Sequence, residues 1–234
     1  LVLLHEGLGS VGLWRDFPRL ISEATGLGVF AYSRAGHGYS DPPIAPLPLD
    51  FMEREATETL PLVLDAIGFR QGVLLGHSDG ASIAALYAAR VPDTRIEALV
   101  LLAPHFFTEA MGLAEIARAR EAFETGDLAM RLARHHENVA LMFSGWNNVW
   151  LAPGFRDWNI TDAIEPITVP VLAIQGRQDQ YGTLAQIDAL DRLSGELLST
   201  LVLDDCRHAP HLDQTQNVIH AVRVFLTKSG FHVG

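Results

Sequence analysis

The apolar residues Gly72 to Leu75 run straight into Gly76-His77-Ser78-Asp79-Gly80, and that pentapeptide runs into Ala81 to Ala89, a stretch of good helix formers. Passing from strand to helix over so short a segment demands a sharp turn. The flanking glycines permit one in which Ser78 sits on strained backbone with its hydroxyl projecting above the sheet. The alternative use of such a sequence is a helix-capping serine in a glycine turn. The string of residues decides little by itself; strand, turn and helix together are specific.

Other short apolar runs read as buried strands: Leu1 to Leu4, Gly28 to Tyr32, Ala98 to Leu102, Val169 to Ile174 and Leu198 to Leu203. Between them, Phe51 to Ile67, Ser82 to Ala89, Leu184 to Leu193 and Gln216 to Phe225 carry apolar residues three or four apart, the spacing of amphipathic helices. Strands and helices alternating in this way predict an α/β fold, a mostly parallel sheet covered by helices on both faces. With 234 residues, 48% hydrophobic and 19% charged, one domain with a substantial core is expected. The rhythm breaks over residues 105–164, where helical patterns at Ala114 to Phe123 and Leu128 to Phe143 have no strand between them. This stretch reads as an inserted helical cap on a core of residues 1–104 and 165–234. Its aromatic cluster of Trp146, Trp150, Phe155 and Trp158 suits either the cap's own core or a pocket wall.

A serine hydroxyl is a weak nucleophile, and it needs a base held in one tautomer by an acid. The run ending at Ile174 is followed by Gln175-Gly176-Arg177-Gln178-Asp179-Gln180, a loop at a strand's carboxyl end that offers Asp179 as the acid. The last apolar run is followed by Asp204-Asp205-Cys206-Arg207-His208-Ala209-Pro210-His211, in which either His208 or His211 can be the base. In open parallel sheets ligands bind at that edge, where such loops converge.

With these features in place the chain resembles the α/β-hydrolase family over nearly its whole length, including the family's order of serine, aspartate and histidine. His5-Glu6-Gly7-Leu8-Gly9-Ser10, followed by Trp14, is similar to the family's oxyanion loop, and Ser33-Arg34-Ala35-Gly36-His37-Gly38-Tyr39-Ser40 resembles the segment after its next strand. His208-Ala209-Pro210-His211 resembles its terminal histidine motif, which implies that His208 is the base. Glu6 stands where many members have glycine, Ser33 where many have aspartate, and Arg207 where glycine commonly precedes the base. The implied oxyanion donors are the N–H groups of Gly7 and Asp79, with Leu8 as the alternative to Gly7.

The resemblance implies acyl-enzyme chemistry on a small apolar carboxylic ester, lactone or thioester, with no cofactor and no metal. Acyl transfer, carbon–carbon bond hydrolysis, perhydrolysis and low-turnover ligand reception use the same residues. Ser78 argues against dehalogenase and epoxide hydrolase relatives, which place aspartate there. Trp146, Trp150 and His105 are the candidate substrate-binding residues, and Asn147 a further polar contributor. Asp79 at a helix start is also stabilised by the helix dipole without any catalytic task, and His77 reads as a packing residue.

A net charge of -11 disfavours a nucleic-acid partner, which would need a basic face. The lone Cys206 forms no internal disulfide and supplies no zinc cluster, which suits a reducing cytoplasm, and it reads as a small buried residue. No apolar run approaches the roughly 18 residues of a membrane span. The expected partner is therefore a small-molecule substrate, and no oligomeric state is implied. Leu1 opens directly into a strand, so preceding sequence is expected.

Overall fold

The computed structural model describes residues 1–193 and 197–233. Among these residues six strands form one sheet: β1 (Val2–Leu4), β2 (Phe30–Ala31), β3 (Gly72–His77), β4 (Ile96–Leu102), β5 (Val171–Gly176) and β6 (Leu198–Leu203). All neighbours are parallel, in the order β2-β1-β3-β4-β5-β6. The chain therefore steps outward from β1 to β2, then jumps back to the other side of β1 with β3. That reversal places a crevice between the carboxyl ends of β1 and β3, where the loops after them lead in opposite directions.

Helices cover both faces. On one side lie α1 (Phe17–Thr25) and, at the chain's end, a long amphipathic helix; α1 buries Phe17, Ile21 and Thr25, one residue per turn of its inner stripe. The other side carries α2 (Phe51–Arg54), which continues through a wide turn at Glu55–Thr59 into α3 (Leu60–Ala66), and α4 (Asp79–Arg90). α4 is small and apolar nearly all round, with Asp79 through Tyr87 buried, as a helix wedged between sheet and overlying helices must be. Strand side chains such as Leu3, Leu74, Leu75 and Val100 are fully buried, each contributing roughly 1.5–3 kcal/mol of transfer free energy.

Between β4 and β5 the chain makes its long excursion through α5 (Ala110–Thr125), α6 (Leu128–Leu132), α7 (Val139–Trp150) and α8 (Thr161–Ile164). Its two ends are stitched together before the helices begin. Phe107 pairs antiparallel with Asn159, the Thr108 N–H donates to the Trp158 carbonyl at 3.0 Å, and the Ile160 N–H to the Phe106 carbonyl at 2.7 Å. The single helix expected over Leu128 to Phe143 is instead two, interrupted at Ala133 to Asn138. The interruption turns His136 inward, and Asn138 caps α7 by accepting from the Leu141 N–H at 3.1 Å.

After β5 come α9 (Ala185–Asp188), extended by a 3₁₀ turn over Ala189–Arg192, and, after β6, α10 (Pro210–Asp213) and α11 (Thr215–Lys228). No helix among the described residues is long and apolar enough to cross a membrane.

Candidate active site

Ser78 stands at the junction of β3 and α4 with φ 54° and ψ −121°, a backbone conformation that L-residues avoid. The strain is held by its surroundings. The Ser78 N–H donates to the Leu102 carbonyl at 2.9 Å, while its carbonyl accepts from the Ala81 and Ser82 N–H groups and so starts the helix. The two glycines leave room for this packing: a Cβ on Gly76 would collide with the Gly80 carbonyl, and one on Gly80 with the Leu4 carbonyl. The turn is therefore pressed between its own helix and the end of β1.

Asp179, in the loop after β5, has a side chain wholly withdrawn from solvent. Its Oδ1 accepts from the Tyr181 N–H at 2.8 Å and its Oδ2 from Gln175 Nε2 at 2.7 Å. His208, in the loop after β6, directs Nδ1 at this carboxylate, 2.8 Å from Oδ2 and 3.0 Å from Oδ1. Burial pushes the Asp179 carboxyl upward, but the charge and hydrogen bond of His208 and the Tyr181 N–H outweigh it and hold the group ionised below its ordinary value. An acceptor-only carboxylate here keeps Nδ1 protonated, leaving Nε2 as the free base.

Ser78 and His208 line one cavity of about 290 Å³, together with Gly7 and Asp79. Ser78 Oγ and His208 do not hydrogen-bond each other; a hydroxyl turns about χ1, and such contacts commonly tighten only with substrate in place. Of the expected cavity walls, Trp146, Trp150 and His105 are present. His105 is buried and uncharged, its pKa pulled down to about 3 by burial and by the nearby His208. Phe155 and Trp158 stack on each other behind Trp150 and do not line the cavity. Asn147 is no cavity group either: it donates to the Ile116 carbonyl at 2.9 Å and accepts from Arg120 Nε at 2.6 Å, tying α7 to α5.

The loop after β1 is clamped at three consecutive carbonyls. Arg34 Nη2 and His5 Nδ1 donate to Glu6 O at 3.1 and 2.7 Å, His37 Nε2 lies 3.0 Å from Gly7 O, and His136 Nε2 lies 3.1 Å from Leu8 O. His136 Nδ1 accepts from the Gly38 N–H at 2.9 Å, so Nε2 carries the proton and is the donor to Leu8 O. Apart from the adjacent His5, the side chains that hold these carbonyls come from 28 to 128 residues away in sequence. Asp79 is 1% exposed, and its Oδ2 makes no well-formed hydrogen bond among the described residues; burial raises its pKa, against the nearby charge of Arg34 and the approach of the Trp150 N–H.

Sequence reasoning overlooked Gln175, His136 and the clamping role of Arg34 and His37. Gln175 alone had a usable signal, an amide at the end of a fully buried strand that must find a partner. Cys206 is buried as expected, its thiol pushed up to about 11 chiefly by that burial.

Residues 1–145 match the family model described as alpha/beta hydrolase fold. Among curated proteins, the chain is 34% identical over 119 residues to the 1-acylglycerol-3-phosphate O-acyltransferase ABHD5 of Sus scrofa, a match covering 50% of this chain and 33% of that protein. It is 27% identical to the non-heme chloroperoxidase of Streptomyces lividans over 240 residues, covering 90% of this chain and 84% of that one. A solved structure from a study of carboxylesterases of the thaumarchaeon Nitrososphaera gargenis superposes with a TM-score of 0.75 at 17% identity, covering 98% of this chain and 90% of the other. The chain thus spans about a third of the acyltransferase relative's length, and the superposition speaks for the fold alone.

Proposed function

The chain belongs to the α/β-hydrolase fold family, and on that premise we propose that it is a serine hydrolase that cleaves a small apolar carboxylic ester, or a related lactone or thioester, through an acyl-enzyme. The observation that carries the reading is the Asp179–His208 pair, 2.8 Å apart, opening onto the same cavity as a serine held at φ 54°.

In this mechanism Ser78 Oγ attacks the acyl carbonyl while His208 Nε2 takes its proton. Asp179 keeps His208 in the Nδ1–H tautomer and stabilises the imidazolium that forms. The oxyanion is received by the N–H groups of Gly7 and Asp79, whose peptides are fixed before substrate arrives. His208 then returns its proton to the leaving alkoxide or thiolate. Water, deprotonated by His208, attacks the acyl-enzyme and releases the acid, with the proton returning to Ser78. Residues 105–164 act as the cap, and Trp146, Trp150 and His105 shape an apolar acyl site.

The test is labelling by a fluorophosphonate probe alongside hydrolysis of p-nitrophenyl esters of increasing acyl length, with wild type and Ser78→Ala compared. Labelling and turnover should both disappear in the variant. A wild type that neither labels nor turns over any ester would sink the proposal in favour of a ligand receptor. Acyl transfer is the second reading, favoured by the likeness to proteins named as O-acyltransferases. It predicts that an added alcohol diverts the acyl group from acid to ester.

A further inference from the structure

A second carboxylate–imidazole pair lies behind the first. His77, in the turn that carries Ser78, is 2% exposed, and both of its ring nitrogens face oxygen. Nε2 lies 2.7 Å from the backbone carbonyl of His208, and Nδ1 lies 3.3 Å from Glu6 Oε2. A carbonyl can only accept, and so can an ionised carboxylate. Both nitrogens must then carry protons, which makes His77 an imidazolium. Through it the loop after β1, the Ser78 turn and the His208 loop are joined at one ring.

We propose that Glu6 and His77 form a positioning pair, a carboxylate–imidazolium that holds the backbone of His208 in register with Ser78, and that loss of the His77 proton loosens this hold and lowers turnover.

The surroundings favour that charge state. Facing His77 are Glu6 from the loop after β1, Asp179 from the loop after β5, His208 and His211 from the segment after β6, and His105 from the loop after β4. Trp14 closes the remaining side with its ring edge. Burial disfavours the imidazolium, but the hydrogen bond and charge of Glu6, the His208 carbonyl and the charge of Asp179 outweigh it and raise its pKa. Burial likewise disfavours the Glu6 carboxylate, and the hydrogen bond and charge of His77 outweigh it, holding Glu6 below the ordinary carboxylate range. His105 and His211 are held neutral by burial and add no positive charge to compete.

The sign of the pH effect follows. A raised pKa means that the tether is complete while His77 is an imidazolium, and that its Glu6 half is lost as pH rises through that pKa. The Nδ1 proton passes to hydroxide, and the exposed lone pair then faces Glu6 Oε2 and is repelled. In Glu6→Gln the carboxamide N–H donates to Nδ1 of a neutral imidazole, whose Nε2–H still reaches His208 O. That arrangement is satisfied without the extra proton.

The role of His208 as base rests on the proposed function; the protonation of His77 does not. Nitrogen-15 NMR of the wild-type protein at about pH 6, below the raised pKa, should therefore show both His77 ring nitrogens protonated, a reading that needs no turnover. On an ester substrate, wild-type kcat should fall by about tenfold or more through the alkaline limb, and Glu6→Gln should lack that fall. His77→Phe, which keeps the ring and removes the tether, should lower kcat by roughly 10–100-fold with KM little changed, as expected for a misplaced base. A singly protonated His77 in the wild type overturns the proposal, and so does an alkaline fall of equal size in wild type and Glu6→Gln.

Discussion

A loop aspartate such as Asp179 acquires its meaning from what surrounds it: two backbone N–H groups, the Gln175 amide and His208 all converge on one buried carboxylate. Asp179→Asn replaces an acceptor with an amide that can offer His208 a donor and favour the wrong tautomer. Ester turnover should then fall by about 10³–10⁴-fold while circular dichroism and the thermal midpoint stay close to wild type. An undiminished kcat would remove Asp179 from the mechanism. Gly80 and Gly28 make a second, purely structural comparison. A Cβ at Gly80 meets the Leu4 carbonyl, whereas one at Gly28 meets nothing. Gly80→Ala should cost about 1–3 kcal/mol in urea denaturation, and Gly28→Ala no more than about 0.5 kcal/mol either way. The positions of Ser78, Asp179 and His208 at strand ends were legible because each follows a recognisable apolar run. His136 was not: both of its partners, Gly38 and Leu8, are remote in sequence, and a histidine between two helical stretches gives no hint of them.

At the scale of elements, apolar runs located all six strands, though β2 is only Phe30–Ala31 within the run expected from Gly28 to Tyr32. Among the described residues β2 pairs with β1 alone, and that pairing stops after two registers. α1 was passed over although its stripe of Phe17, Ile21 and Thr25 is regular, because Arg19, Ser22 and Glu23 dilute its apolar content. The split of the expected Leu128 to Phe143 helix has a local reason in Asn138, whose side chain suits a helix start better than a helix interior. Asn138→Ala should destabilise the protein by about 1 kcal/mol and increase amide exchange at Leu141 first, since that N–H loses its acceptor. Unchanged exchange at Leu141 would show that the cap contributes nothing.

Across the whole molecule, a set of histidines is packed as neutral side chains. His5, His37, His105 and His211 all have depressed pKa values, with burial the leading cause in each; His37 is brought to about 4 and His105 to about 3. In the unfolded chain each would titrate near 6.5. Below that pH the unfolded state binds protons that the folded state refuses, so stability must fall with acidification, at up to about 1.4 kcal/mol per pH unit for each such group. His77 and Asp179, with shifts of their own, modify the curve without reversing it over this range. The urea midpoint should therefore drop steadily from about pH 7 to pH 5, and a flat midpoint would mean that these rings are charged in the folded state.

The paired stem at Phe107 and Asn159 has a consequence for descent. The excursion leaves the sheet and returns through a single doorway, so insertions or deletions between Thr108 and Trp158 need not disturb strand register, and the entropic cost of a longer loop grows only logarithmically. Ser78 precedes the doorway in the chain, while Asp179 and His208 follow it. Changes in the excursion can thus refurnish the cavity while the strand ends keep their places, provided that His136 still grips Leu8: a house open to redecoration except for one supporting beam.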